Sequence, residues 1–159
     1  NVILNRNSKI QISFYLAKYG ADNLTILNRN IERADSLAAD VMDSDLIDNV
    51  KSDSISKISD YLSDADILIN TTPVGMHPNV NVDPIASGDM MHEDLAVFDA
   101  VYNPNETVLI KEAIKAGAKP VYGIKMLLYQ GAESFKIWTG ADAPVDIMEK
   151  ALKDTLNIE

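Results

Sequence analysis

The sequence predicts an α/β domain: a doubly wound, largely parallel sheet with helices on both faces. Three observations carry this. Short β-rich runs alternate with stretches of helical periodicity along the 159 residues. The run Asp66-Ile67-Leu68-Ile69-Asn70 is apolar between polar ends, as in a strand covered on both sides. Most β-rich runs are separated by a segment long enough for a crossover helix, and right-handed crossovers put helices on both faces.

Each element has its own signal. Val2-Ile3-Leu4 is a candidate first strand, and Ser8 to Lys18 follow as a helix with Ile10, Phe14 and Ala17 on one face. Gly20 stops that helix. Leu24 to Leu27 is the next strand, and Ile31 to Val41 the next helix, with Asn30 as N-cap. The serine- and aspartate-rich stretch 42–64 predicts a weak strand near Ile47–Val50 and a short helix near Ile55–Leu62. After the apolar strand, Thr72-Pro73-Val74-Gly75 is turn chemistry, and 77–94 reads as a long irregular connection with two prolines. Ala96–Asp99 is a strand, Thr107–Ala116 a helix closed by Gly117, and Lys119–Tyr122 a strand. Gly123 to Trp138 forms a long helix, and Val145 to Leu156 an amphipathic one with Pro144 at its start.

Composition removes several function classes. Fourteen basic residues stand against 24 acidic ones, a net charge of −10, so a general nucleic-acid binder lacks its basic footprint and an anionic membrane repels the chain. No apolar run approaches the roughly 20 residues of a membrane span. Without cysteine there is no disulfide, thiolate metal site or cysteine nucleophile. His77 and His92 are too far apart for a helical metal pair, and no metal site is expected. No signal-peptide pattern leads the chain, so a cytoplasmic location is expected. Asn1-Val2-Ile3-Leu4 reads as a strand already under way, so the expectation is one domain over 1–159 taken from a longer polypeptide.

In sheets of this class ligands sit beyond the carboxyl ends of the strands. The second strand ends in Asn28-Arg29-Asn30-Ile31-Glu32-Arg33, two arginines four apart where a helix begins. In a dinucleotide-binding sheet the adenosine ribose lies here, and an arginine accommodates the 2′-phosphate of NADP where a carboxylate serves NAD. The alternative is a pair of solvated arginines on a surface helix. The fourth strand runs into Asn70-Thr71-Thr72-Pro73-Val74-Gly75-Met76, a tight polar loop suited to lining a cofactor or simply to turning the chain. The fifth runs into Asp99-Ala100-Val101-Tyr102-Asn103-Pro104. There Asp99 reads more as a hydrogen-bond partner than as a catalyst, and Tyr102 projects a hydroxyl toward the crevice. In Gly123-Ile124-Lys125-Met126-Leu127-Leu128-Tyr129-Gln130, the glycine permits close approach to a flat ring, and Met126 and Gln130 share one helix face. A core methionine and a surface glutamine explain the same spacing.

Together, Asn28–Ala38, Ile69–Met76, Asp99–Thr107 and Gly123–Gly140 resemble, in order, the motifs N-R-x-x-x-R-A-x-x-L-A, I-N-x-T-P-x-G-M, D-x-x-Y-x-P-x-x-T and G-x-x-M-L-x-Y-Q-G-A-x-x-F-x-x-W-T-G of the C-terminal, NADP-binding domain of shikimate dehydrogenase. The resemblance spans nearly the whole chain. It implies a Rossmann-like fold and a family that exchanges hydride between NADP(H) and shikimate or 3-dehydroshikimate in aromatic amino-acid biosynthesis. It assigns Asn28, Arg29 and Arg33 to the adenosine 2′-phosphate, and Asn30, which stands where the family usually has threonine but keeps a hydrogen-bonding side chain, with Thr72, Met76 and Ala100 to the cofactor. Gly123 and Met126 fall beside the nicotinamide, and Tyr102 and Gln130 at the substrate. The family's catalytic lysine and aspartate belong to an N-terminal substrate domain that no segment of the sequence matches, so no catalytic residue is expected in this chain. Its partners are then that domain and the small-molecule substrate, with a homodimer left open.

Two departures qualify the resemblance. Where the family has a turn like G-A-G-G-A after the first strand, this chain has Leu4-Asn5-Arg6-Asn7-Ser8-Lys9, without glycine. Asn5 and Asn7 substitute in part, Arg6 and Lys9 supply charge and Ser8 a cap, but cofactor binding should be weaker. Lys125 stands where a small residue is usual, and would crowd the cofactor or add charge beside it. Three readings compete with the first: a Rossmann-like module that has lost its cofactor, a quinate/shikimate dehydrogenase, and the nucleotide domain of glutamyl-tRNA reductase.

Overall fold

A computed structural model describes residues 1–5, 10–156 and 158. Six parallel strands form one sheet in the order β3-β2-β1-β4-β5-β6: β1 Val2–Asn5, β2 Asn23–Asn28, β3 Asn49–Ser54, β4 Ile67–Asn70, β5 Ala96–Asp99 and β6 Lys119–Tyr122. This is the Rossmann order, and the crossovers reverse direction between β1 and β4.

The helices are α1 Ile10–Lys18, α2 Ile31–Met42, α3 Ser59–Leu62, α4 Val108–Lys115, α5 Gly123–Thr139 and α6 Val145–Leu156. Alternate strand residues face opposite sides, so each strand feeds two cores. On one side Val2, Leu24, Ile26 and Ile69 pack with Ala17 of α1 and with Ala34, Ala38 and Val41 of α2. On the other, Ile3, Leu27, Leu68 and Val97 pack with Leu62 of α3 and with Leu109 and Ala113 of α4. α5 runs beside α1, their residues lining one groove, and α6 leans on α5.

Most predicted elements coincide with observed ones. The exception in register is β3. The sequence suggests Ile47–Val50, but the strand occupies Asn49–Ser54 and pairs with β2 over its full length. Ile47 is instead a buried plug against α2 and β2, and the real strand is an edge strand of mostly polar residues with no apolar run to announce it. The predicted 55–62 helix divides into a 3-10 turn, Ile55–Lys57, capped by Ser54, and the short α3. The connection 77–94 is irregular apart from a 3-10 turn at Gly88–Met90.

Candidate functional site

The reversal between β1 and β4 leaves a crevice beyond their carboxyl ends, where the neighbouring crossovers run to opposite faces. Two hollows open along it.

The first lies at the end of β2. Asn28 is buried, and its Oδ1 accepts from the Asn30 backbone N–H at 3.1 Å. Asn30 caps α2, accepting from the Arg33 backbone N–H at 3.0 Å. Both asparagine oxygens therefore build the turn that presents Arg29. Arg29 and Arg33 are exposed, and no described carboxylate pairs with either. Arg29 lines a hollow of about 240 Å³ with Asn28, Thr72, Val74, Asp83 and the apolar Ile55 and Ile85. Arg33 stands outside it, one turn into the helix. Apolar walls, an unpaired guanidinium and a helix N-terminus suit a flat heterocycle that carries phosphate.

The second hollow, about 350 Å³, lies between the β4 and β5 loops and α5. It brings together Thr72, Met76, Ala100, Tyr102, Met126 and Gln130, which come from three separate motifs, and adds Ile12, Thr71, Pro73, Val101 and Leu127. This is the size of a small-molecule site. Its wall is largely apolar, and its polar members Tyr102 and Gln130 are both exposed. Thr72 borders both hollows, so an extended ligand can lie across them. A larger groove of about 610 Å³ between α1 and α5 opens at the amino ends of the strands, around Val2, Asp22 and Asp66. It shares only Ile12, Met126 and Gln130 with the second hollow and lacks the strand-end loops.

Beneath the second hollow lies a buried polar network. Asp99, fully buried at the end of β5, accepts from Asn70 Nδ2 at 2.9 Å, from the Val101 backbone N–H at 3.1 Å and from Thr107 Oγ1 at 2.6 Å. Burial pushes its carboxyl above the ordinary value, and the bonds from Thr107, Val101 and Asn70 oppose that rise. Asn70 passes the order on: its Oδ1 accepts from both the backbone N–H and the hydroxyl of Thr72, at 3.0 and 2.7 Å. Thr107 Oγ1 in turn caps α4 through the Ile110 backbone N–H at 3.2 Å.

The model of the shikimate / quinate 5-dehydrogenase family matches residues 8–104, and that of the shikimate 5′-dehydrogenase C-terminal domain matches 123–153. The chain belongs to this family. It is 65% identical over 147 residues to the shikimate dehydrogenase (NADP(+)) of Methanobrevibacter smithii, an alignment covering 92% of this chain and 52% of the relative. With that of Methanothermobacter thermautotrophicus the identity is 52%, covering 91% and 51%. The chain thus spans about half the length of the curated relatives it matches. Among solved structures, a shikimate dehydrogenase in complex with NADP+ superimposes with a TM-score of 0.90 at 38% identity, over 98% of this chain and 54% of that one. The Listeria monocytogenes shikimate 5-dehydrogenase, in complex with shikimate and NAD, gives 0.84 at 26% identity, over 95% and 55%.

Against the family's motifs, the structure distributes the expected residues unevenly. Gly123 is buried and lines neither hollow; a Cβ built on it lies 2.5 Å from the Asp99 carbonyl oxygen and 2.7 Å from that of Ala100. Its glycine is thus required by the contact between α5 and the end of β5. Lys125 does not crowd the crevice: it lines a different depression between α5 and α6, with Tyr122 and Glu149. The expectations on Arg6, Asn7, Ser8 and Lys9, and on the Asn5 side chain, lie outside the described residues. Sequence reasoning overlooked Asn70 and Thr107, whose signal was present as polar residues conspicuously placed at a strand end and before a helix. Among the described residues no cluster of histidine and carboxylates is arranged to hold a metal ion, and no helix is long and apolar enough to cross a membrane.

Proposed function

We propose that this chain is the NADP-binding half of a shikimate dehydrogenase. Within the longer polypeptide it takes part in reversible hydride transfer between NADP(H) and shikimate or 3-dehydroshikimate, in aromatic amino-acid biosynthesis. The observation that carries the reading is the unpaired Arg29 guanidinium in the hollow at the end of β2, a strand away from a second hollow that joins three of the family's motifs. Arg29, with Arg33 at the helix opening, takes the 2′-phosphate. Asn28 and Asn30 hold the turn that aims Arg29, and Thr72, which borders both hollows, would hold the middle of the dinucleotide. Met76, Ala100 and Met126 would hold the nicotinamide end in the second hollow, with Gly123 keeping α5 close enough to supply that wall. Bound there, the cofactor supplies or accepts the hydride. Tyr102 and Gln130 hold the substrate ring at the open rim through hydroxyl and amide hydrogen bonds.

The general acid–base pair of such a reaction belongs to the other half of the enzyme. The isolated chain should therefore bind NADPH without oxidising shikimate, and turnover by it alone would refute the division of labour. Calorimetry tests the cofactor assignment. Arg29→Ala should weaken NADP+ by about tenfold or more, the worth of a charge-assisted hydrogen bond, and leave NAD+ nearly unchanged. Equal losses for both would refute it. The same reading takes the enzyme to be cytoplasmic and leaves the homodimer to sedimentation of the longer polypeptide.

A further inference from the structure

We propose that Asp99 is a positioning residue for the nicotinamide end of the site, acting on the cavity wall from behind without touching its contents. The proposal rests on reading the second hollow as the nicotinamide site. Asp99 lines neither hollow, yet its carboxylate reaches both loops that do.

Through the Val101 N–H, Oδ1 fixes the turn that carries Ala100 and Tyr102. Through Asn70 Nδ2, the same oxygen dictates which way that amide points. With Nδ2 held by the carboxylate, Asn70 Oδ1 must face Thr72, where it meets two donors; the flipped amide would set acceptor against acceptor at Asp99 and donor against donor at the Thr72 N–H. Thr72 then accepts from the Val74 N–H at 3.3 Å, which shapes the turn toward Met76. The second carboxylate oxygen is anchored by Thr107 at the start of α4, so the device is braced against a helix. The backbone adds a tie between the same loops, with Ala100 N donating to Asn70 O at 2.9 Å. One buried acidic group therefore sets two walls of one cavity, and all three of its partners are donors.

An asparagine at 99 keeps the shape but has one acceptor oxygen where three donors converge on two. Either the Asn70–Val101 pair loses its acceptor, or the new amide faces Thr107, whose hydroxyl must then turn to accept from it and leave its own proton without the carboxylate. Buried polar networks tolerate this poorly. The Arg29 hollow shares Thr72 and Val74 with this network, but its guanidinium is presented by the Asn28–Asn30 turn, which the carboxylate does not touch.

The test compares the affinities of wild type and Asp99→Asn for NADP+ and for adenosine 2′,5′-bisphosphate, the half of the cofactor without nicotinamide, by calorimetry. NADP+ should weaken about fivefold or more while the bisphosphate stays within about twofold. Thr107→Val, which removes one bond to the carboxylate and lies outside both hollows, should shift NADP+ in the same direction by less. A merely structural carboxylate would weaken both ligands alike, or neither, and that result overturns the proposal. Failure of both variants to fold overturns it too, by making the group a requirement of the fold. If wild type binds the bisphosphate and NADP+ equally well, the nicotinamide makes no contact and the reading of the second hollow fails first. If wild type binds neither, the cofactor assignment itself falls, and this proposal with it.

Discussion

Replacing Gly123 by alanine gives a prediction whose sign is set by the structure. Gly123 opens α5, where alanine is ordinarily the better residue by about 0.5–1 kcal/mol. By helix propensity alone the substitution should therefore stabilise. The added Cβ, however, would sit 2.5 Å from the Asp99 carbonyl oxygen, 2.7 Å from that of Ala100 and 2.8 Å from the Ala100 carbonyl carbon. A carbon and a carbonyl oxygen rest at about 3.3 Å even in close Cα–H···O contacts, so α5 or the β5 loop must retreat by roughly 0.8 Å. The obstacle is backbone, which cannot swing aside as a side chain can. Overpacking of this kind costs about 1–3 kcal/mol. Net of propensity, Gly123→Ala should destabilise by up to about 2.5 kcal/mol, lowering the urea midpoint by up to about 1 M at unchanged slope. Because Met126 and Gln130 ride on α5, the retreat also widens the second hollow. A midpoint that stays or rises would refute the contact, and with it the steric requirement for glycine at this position.

Two further predictions concern local features. Asn30→Ala removes the N-cap of α2 and should cost about 1 kcal/mol in urea unfolding; Asn30→Asp keeps the cap and the stability but sets a carboxylate beside Arg29, so NADP+ binding alone should weaken. Equal behaviour of the two variants in both assays would contradict the separation of capping from phosphate binding. Asp53 is held below its ordinary pKa, first by the Tyr61 hydroxyl at 2.8 Å, then by the Ser54 N–H and Lys57. A lowered folded-state pKa contributes stability that is present above the unfolded value and lost as pH falls through the folded one. In Tyr61→Phe the Asp53 carboxyl, followed by NMR, should titrate higher, toward 3.8, and the stability advantage of wild type should fade in acid below about pH 4. An unmoved midpoint would show that the hydroxyl does not hold the carboxylate.

Legibility varied with what each residue's neighbours add to its own chemistry. β2, β4 and β5 announce themselves because covered parallel strands need nearly unbroken apolar runs, and Leu24–Leu27, Ile67–Ile69 and Ala96–Phe98 supply them. β3 has Asn49-Val50-Lys51-Ser52-Asp53-Ser54, whose strand character comes only from pairing with β2, so the sequence pattern drifts to the nearest apolar residue, Ile47. Arg29 stands out in the sequence because a cation at a strand end in an acidic chain is itself a signal, and the structure adds that no described carboxylate pairs with it. Gly123 was readable as special but not for its cause, since the carbonyls it meets belong to residues 23 and 24 positions earlier. Lys125 could not be assigned from the motif because helix phase alone does not say which flank α6 covers. Asn70 and Thr107 were present in the motifs, yet their importance lies in bonds across 29 and 8 residues that only the folded sheet assembles.

These bonds explain why the site lies where it does. At the switch point the chain must end strands and turn at once, leaving backbone groups that the sheet no longer satisfies. β4 and β5 answer with side chains that cross between strands. Asn70 and Asp99 stand opposite each other in register, Asn70 organises the loop after its own strand, and Asp99 does the same for the next. What solves a burial problem thus also fixes the two loops at a defined separation. Hydrogen bonds that tie such loops together leave less to be ordered when a ligand binds between them. The crevice that topology opens becomes a shaped site because the polar residues ending the strands hold one another rather than water.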